Sequence, residues 1–390
     1  MSGPVTVMLV AGEASGDVLG AGLAAALRER LGGRLRLVGV GGARMAAEGV
    51  ASPFDIADLS VLGFVEGALA WPRVVRRAEQ TTALARRERP DAAVLIDSWG
   101  FTLRVAHRLR RDDPELPLIK YVGPQVWASR PGRARTLAAA VDHLLVLRSF
   151  EAPLFEAAGL PVTVVGDPAL ARGFDDAEPA RLRARLGIGE DAPVLLVLPG
   201  SRPAELARVG PPFAEAARRL KARRPDLAVI VPAASTLSAG VRAWAQALPF
   251  AAHLVEDEGR KRDAMAAATV ALACSGTVTT ELAMAGAPTV VGYRLGALSH
   301  ALMERVITTP HIVLVNVAAG RRVMPEFVQH ACTPQALAAA VAERLDSPKL
   351  RARQAAEQTA ALQRLGRDGG DPDGRAAEAV LQVLRARGRL

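Results

Sequence analysis

The chain has 390 residues, 50% of them hydrophobic and 23% charged, which is length for two or three domains and apolar material for their cores, so disorder is excluded as the main state. Its 49 Lys and Arg against 40 Asp and Glu leave a net charge of +9, favouring anionic partners: nucleic acid, phosphorylated metabolites or acidic lipid headgroups. Two cysteines, Cys274 and Cys332, allow at most one disulfide and read as buried thiols in reducing surroundings.

The first apolar run, Val5–Val10, meets Glu13 and Asp17 with no positive region ahead of it, so no targeting segment is expected and the cytosol is the expected compartment. Apolar, β-branched runs then alternate with Ala-, Arg- and Glu-rich stretches of helical period, the pattern of repeated βαβ units. Strands are predicted over Val5–Val10, Leu35–Val40, Ala92–Ile96, Leu118–Val122, Leu144–Leu147 and Val162–Val165. After Gly166-Asp167-Pro168 they resume over Val194–Leu198, Ala228–Val231, Thr269–Ala273, Thr289–Val291 and Ile312–Val315. Runs that are apolar throughout imply sheets covered by helices on both faces. The stretch Ala264 to Tyr293 holds Glu281, Gly276, Gly286 and Pro288, and reads as strand, turn, short helix and strand rather than a membrane span.

The Gly, Pro and acidic residues between Gly166 and Pro179 mark a domain boundary, giving domains over 1–167 and 168–345. From Thr333 the chain reads as helices only: Pro334–Leu345, Pro348–Leu365 and Asp373 to about Arg387. The tail 346–390 has no core of its own and is expected to pack on a preceding domain or on a partner subunit, which leaves a homodimer open.

Ligands of open α/β sheets bind beyond the carboxyl ends of the strands, and four strand ends stand out. The first runs into Ala11-Gly12-Glu13-Ala14-Ser15-Gly16-Asp17, with Gly20 and Gly22 in the next helix. Glycine lets backbone approach a ligand, and a helix N-terminus suits an anion; a tight turn needed only for packing is the alternative. Neither a P-loop nor a dinucleotide turn matches the spacing. Leu198 leads into Pro199-Gly200-Ser201-Arg202, where Arg202 either serves a diphosphate or simply begins a helix. Cys274 leads into Ser275-Gly276-Thr277 and a helix Val278–Ala285 closed by Gly286, a phosphate cradle with Glu281 one turn inward as a sugar ligand or a helix-dipole partner. Ile96 leads into Asp97, a general base or an N-cap.

The six histidines are scattered and form no metal-ligand spacing, so no metal is expected. The segment Val61 to Pro72, followed by Arg73, Arg76 and Arg77, combines apolar bulk with a basic rim, as does a surface that touches an anionic membrane or an acyl chain; an amphipathic core helix reads the same.

These motifs, together with Asn316, Pro325-Glu326, Tyr121-Val122, Pro124, Val126-Trp127 and Val290 to Arg294, resemble those of the lipid-A-disaccharide synthases, from about Val5 to Thr333. The resemblance implies a GT-B glycosyltransferase with two Rossmann-like doubly wound domains facing a cleft. It implies inverting, metal-independent transfer of 2,3-diacylglucosamine from its UDP derivative to the 6-hydroxyl of 2,3-diacylglucosamine 1-phosphate, with no cofactor. It also implies that 1–167 is the acceptor side and 168–345 the UDP-sugar side, and that the enzyme works peripherally on the anionic inner leaflet of the inner membrane. Carried over by position, Asp97 is the base, and Gly12, Glu13, Ser15, Gly16 and Asp17 lie on the acceptor side. Arg202, Ser275, Gly276 and Thr277 hold the diphosphate, Glu281 the ribose, and Asn316 and Glu326 face the cleft. The chain departs from the family pattern after Asp97 (Trp99-Gly100-Phe101-Thr102) and at Asp167, Val315, Gly123 and Gln125.

The rivals are another UDP-sugar enzyme of this architecture, a lipid-linked glucosaminyltransferase or an epimerase, and a basic RNA-binding module without chemistry. Only 4% aromatic residues and dispersed arginines argue against nucleic acid.

Overall fold

The computed structural model describes residues 3–59, 64–171, 173–233, 238–296, 309–367 and 370–390. Among them, β1 (Val5–Ala11), β2 (Leu35–Val40), β3 (Ala92–Ile96), β4 (Leu118–Tyr121), β5 (His143–Val146) and β6 (Val162–Val164) make one sheet in the order β2-β1-β3-β4-β5-β6. A second sheet has the order β12-β11-β10-β7-β8-β9, built from β7 (Val194–Leu198), β8 (Ala228–Pro232), β9 (His253–Val255), β10 (Val270–Cys274), β11 (Thr289–Tyr293) and β12 (Glu326–Val328). All pairings are parallel.

The chain divides into two compact units, Met1–Ala171 with Gly366–Leu390, and Arg172–Leu365. Successive residues of a strand face opposite sides of its sheet, and here both sides are core. Val7 and Leu9 pack with Leu23, Leu27 and Val380 on one face of the first sheet, whereas Met8 and Val10 pack with Phe101 and Val105 on the other. The second sheet repeats this, with Leu195 and Val197 on one face and Val194 and Leu196 on the other. That is why these runs are apolar without alternation.

The last helices go to different units. Helix Pro348–Arg364 lies on the second, where buried Gln354 and Gln358 donate to the carbonyls of Thr289 (2.8 Å) and Ala287 (3.0 Å). Helix Pro372–Ala386 closes a face of the first sheet, and Arg375 Nε donates to the Val165 carbonyl at 2.7 Å. Two glycines of the first motif, open above to ligand approach or to packing, are set by contacts within this unit, Gly22 by the docking of this helix and Gly20 by Met45. A methyl on Gly22 would stand 2.5 Å from the Asp373 carboxylate, and one on Gly20 2.5 Å from Met45 Sδ, so both serve packing within the protein.

One predicted strand is absent. Ile312–Val315 instead leads into the helix Leu314–Ala319, because the Glu326 carboxylate accepts from the N–H groups of Ile312 (3.3 Å) and Val313 (3.1 Å) and denies them to a sheet. The edge strands β9 and β12, three residues each, went unpredicted because neither His253-Leu254-Val255 nor Glu326-Phe327-Val328 is the β-branched run that marks the equally short β6, Val162-Thr163-Val164.

The stretch Ala264 to Tyr293, read as strand, turn, short helix and strand, holds the end of the helix Glu258–Ala266, then β10, the short helix Val278–Met284 and β11, and no described helix is long and apolar enough to cross a membrane. Residues 61–63 of the segment from Val61 lie outside the described residues, and Phe64 begins the helix Phe64–Glu88. Trp71 on it is 53% exposed, with the Arg104 guanidinium 3.8 Å over its ring.

Candidate active site

Each sheet reverses direction once in its strand order, between β1 and β3 in the first and between β7 and β10 in the second. A doubly wound sheet opens a crevice beyond the carboxyl ends at such a point. Pairing of Ala11 with Ile96 sets Gly12 beside Asp97, and pairing of Leu198 with Ala273 sets Pro199-Gly200-Ser201-Arg202 beside Cys274-Ser275-Gly276-Thr277. All four strand ends singled out in the sequence thus sit at the two switch points.

In the first unit, Asp97 (φ +48) and Ser98 (φ +43) are both left-handed, at a cost on the order of 1 kcal/mol each. The bend turns the half-buried Asp97 carboxylate toward the first loop, where the Ser15 hydroxyl donates to Oδ2 at 3.1 Å. Asp97 is not the N-cap of the helix Trp99–Asp112; Ser98 holds that place. A methyl on Gly12 would stand 2.7 Å from Ser98 Oγ, so this loop passes close against Ser98, and one on Gly16 would stand 3.2 Å from Ala11 Cβ and 3.4 Å from the Ile96 carbonyl, a tight fit against β1 and β3. Glu13 lies on the exposed rim, hydrogen-bonded to Ser98, with its carboxyl sheltered enough that burial, and then the Asp97 charge, raise its pKa.

Asp17 behaves differently. It is 6% exposed, and its carboxylate accepts from the backbone N–H groups of Gly42 (2.7 Å), Arg44 (3.0 Å) and Met45 (3.0 Å), tying the end of β2 to the first loop. Asp17→Ala is expected to lower stability by roughly 2–3 kcal/mol, read as a lower urea midpoint, with UDP affinity unaltered. An unshifted midpoint would take Asp17 out of the scaffold.

In the second unit, Gly200 adopts φ +118 and packs on Glu205, which accepts from Ser201 N–H at 3.0 Å. Arg202 is 62% exposed and meets Glu205 at 3.1 Å. An exposed pair of this kind contributes about 0.5 kcal/mol or less, so the guanidinium is available to a stronger anion. Gly276 and Thr277 are exposed at the start of the helix Val278–Met284, and a methyl on Gly276 would meet no described atom within 4 Å. Glu281 is paired with Lys261 at 3.0 Å.

Asn316 and Glu326 are buried, 0% and 7% exposed. Asn316 Nδ2 donates to Glu326 Oε1 (2.6 Å) and to the Met324 carbonyl (2.7 Å), while its Oδ1 accepts from Val323 and Met324 N–H (both 2.8 Å). With the Glu326 bonds to Ile312 and Val313, this network sets the loop whose Ile312 carbonyl accepts from Ser275 Oγ at 3.4 Å. The pair fixes the loop that bonds to Ser275. Cys274 and Cys332 are free and buried, burial pushing the Cys274 thiol up to about 12. Among the described residues no group of three His, Cys, Asp or Glu is placed to hold a metal ion.

Three residues of these sites went unread in the sequence: Glu205, Lys261 and Lys120. Lys120 carried a signal, a lone ammonium inside an otherwise apolar strand, 3% exposed and expensive there unless paired.

Comparison with known proteins identifies the family. A family model described as lipid-A-disaccharide synthetase matches residues 7–380. The chain is 45% identical to the lipid-A-disaccharide synthase of Rhodospirillum centenum over 98% of its own length and 96% of that protein, and 40% identical to that of Pseudomonas aeruginosa over 99% and 100%. Solved structures sharing the fold include the Staphylococcus aureus MnaA–UDP complex (TM-score 0.64, 16% identity, 99% of this chain and 98% of that one) and Acinetobacter baumannii MurG (TM-score 0.55, 14% identity, 99% and 100%). With GT-B folds around it and full-length relatives of one activity, the chain belongs to the lipid-A-disaccharide synthases, glycosyltransferases that pass 2,3-diacylglucosamine from UDP to the 6-hydroxyl of 2,3-diacylglucosamine 1-phosphate.

Proposed function

We propose that the two units divide the chemistry of lipid A disaccharide formation. The acceptor 6-hydroxyl gives its proton to Asp97 as its oxygen bonds to the donor anomeric carbon, the bond from that carbon to the diphosphate breaks on the opposite face, and UDP leaves. Charge grows on the departing diphosphate, where Arg202 and the backbone N–H groups at Gly276 and Thr277 receive it. Glu281 binds the ribose hydroxyls. Glu13 and Ser15 meet the acceptor, Gly12 and Gly16 let the loop close on Ser98 and β3, and Asp17, Asn316 and Glu326 hold the loops.

The observation that carries this reading is the placing of both motif pairs at the switch points of their sheets. Purified protein given both substrates is expected to release UDP and disaccharide only when the acceptor is present. UDP-sugar turnover without acceptor would favour an epimerase, and no disaccharide at all would sink the assignment of roles. Arg202→Ala is expected to weaken UDP binding by roughly 10- to 100-fold, as for a charge-assisted contact of about 1.5–3 kcal/mol; calorimetry showing unaltered affinity would remove it from the site.

The same reading places the enzyme on the cytoplasmic face of the inner membrane. Both substrates carry acyl chains, the net charge of +9 attracts anionic headgroups, and Trp71 with Arg104 stacked on it forms the kind of rim that sits at such an interface.

A further inference from the structure

The buried ammonium of Lys120 lies beneath the bend that presents Asp97. Its strand neighbours Leu118, Ile119 and Tyr121 are wholly buried, so nothing in the packing of β4 calls for a charge. The side chain borders Leu95, Trp99, Leu103, Ala106, Leu137 and Val141, in space too narrow for a water molecule. Its Nζ donates to the backbone carbonyl of Asp97 and, at 3.0 Å, to Thr102 Oγ1. Thr102, 0% exposed, donates in turn to the Asp97 carbonyl at 2.8 Å or the Ser98 carbonyl at 3.0 Å.

Two adjacent residues of β4 therefore clamp Asp97 from both sides of its α-carbon. Its N–H donates to the Tyr121 carbonyl at 2.9 Å, and its carbonyl accepts from the Lys120 ammonium. A side chain attached to a left-handed residue is aimed by the peptide planes on either side of it, and left-handed backbone persists only where its surroundings over-determine it. Burial pushes the ammonium down to about 7, and the charges of Asp97 and then Glu13 hold it up, which ties the three groups into one electrostatic unit.

We propose that Lys120 is the positioning residue of the acceptor-side base, its ammonium fixing the Asp97 peptide so that the carboxylate faces Ser15 and the acceptor hydroxyl. The proposal rests on the reading of Asp97 as the base. Lys120 touches no substrate; it acts through Asp97.

The test measures turnover with both substrates, UDP affinity and thermal unfolding for full-length Lys120→Met, Lys120→Arg, Asp97→Asn and the double variant Lys120→Met/Asp97→Asn. Removing one member of a buried polar cluster leaves its partners without their donor, so Lys120→Met is expected to melt at a lower temperature, and its turnover is measured well below that melting point. Its kcat should fall by about 10- to 100-fold, the scale set by a misplaced catalytic group, with UDP affinity within about twofold of wild type. Lys120→Arg should recover most of kcat. The double variant should be no slower than Asp97→Asn alone, since a positioning residue loses its effect once the group it positions is gone.

A crippled Asp97→Asn beside a Lys120→Met variant of wild-type turnover overturns the proposal and leaves Asp97 as base. An active Asp97→Asn overturns the reading of the base and this proposal with it. Losses that multiply in the double variant show that Lys120 acts independently of Asp97, which also overturns it. If Lys120→Met fails to fold, Thr102→Val removes the second partner of the ammonium, and the same non-additivity with Asp97→Asn decides the matter.

Discussion

Asp97→Asn is expected to leave UDP affinity within about twofold of wild type while turnover falls by about two to four decades. The substitution keeps the size and planarity of the side chain, and the backbone bonds to Tyr121 and Lys120 do not involve the carboxylate, so the bend survives. What is lost is a proton acceptor at the end of β3. Ser15 can still donate to the amide oxygen, so the loop remains held. A second reading comes from Glu13, whose pKa is raised first by burial and then by the Asp97 charge. In the variant the second cause is gone, so Glu13 is expected to titrate at lower pH, observable by carbon NMR of its carboxyl. Turnover equal to wild type would remove Asp97 from the reaction, and an unmoved Glu13 would deny that the two carboxylates interact.

Asn316→Ala is the second large effect, and it acts on the other unit. One fully buried amide makes four hydrogen bonds there, two to backbone N–H groups, one to a carbonyl and one to the Glu326 carboxylate. Truncation leaves buried polar groups with no replacement partner and deprives the 7% exposed Glu326 of its nearest donor. The expected loss is roughly 3–5 kcal/mol, a large part of a typical domain's stability of about 5–15 kcal/mol. Because Ser275 Oγ is held by the Ile312 carbonyl of the same loop, UDP binding should weaken as well, even though Asn316 touches no nucleotide in this account. Denaturant unfolding with an unaltered midpoint would show that the loop does not depend on this network.

These two residues also mark how far the sequence could be read. Asp97 was legible because it ends a run of five apolar residues, Ala92–Ile96, and the carboxyl end of a buried parallel strand is where ligands collect. Asn316 was found only through the family motif, and the strand expected just before it does not exist. Ile312–Val315 has the composition of β-structure, but the carboxylate that captures its N–H groups comes from Glu326, residues later, and local composition carries no trace of that partner. Asp17 looked like one more polar residue of a ligand loop; that its oxygens belong to the backbone of Gly42, Arg44 and Met45 depends on how β2 ends beside it.

What the sequence by itself determined is the periodic apolar pattern, and with it two parallel sheets buried on both faces, because side-chain spacing along a strand is a local property and burial of both faces leaves no polar alternation to confuse it. It also placed glycine, arginine and hydroxyl residues at the strand ends. Strand order was decided only by tertiary structure: the choice of β3 and β10 as neighbours of β1 and β7 makes each pair of motifs adjacent. So too were the glycines at 20 and 22, and the lysine under Asp97. Each depends on atoms distant in the chain meeting within a few ångströms, and a contact of that kind is fixed by packing of the whole sheet rather than by the residues on either side of it.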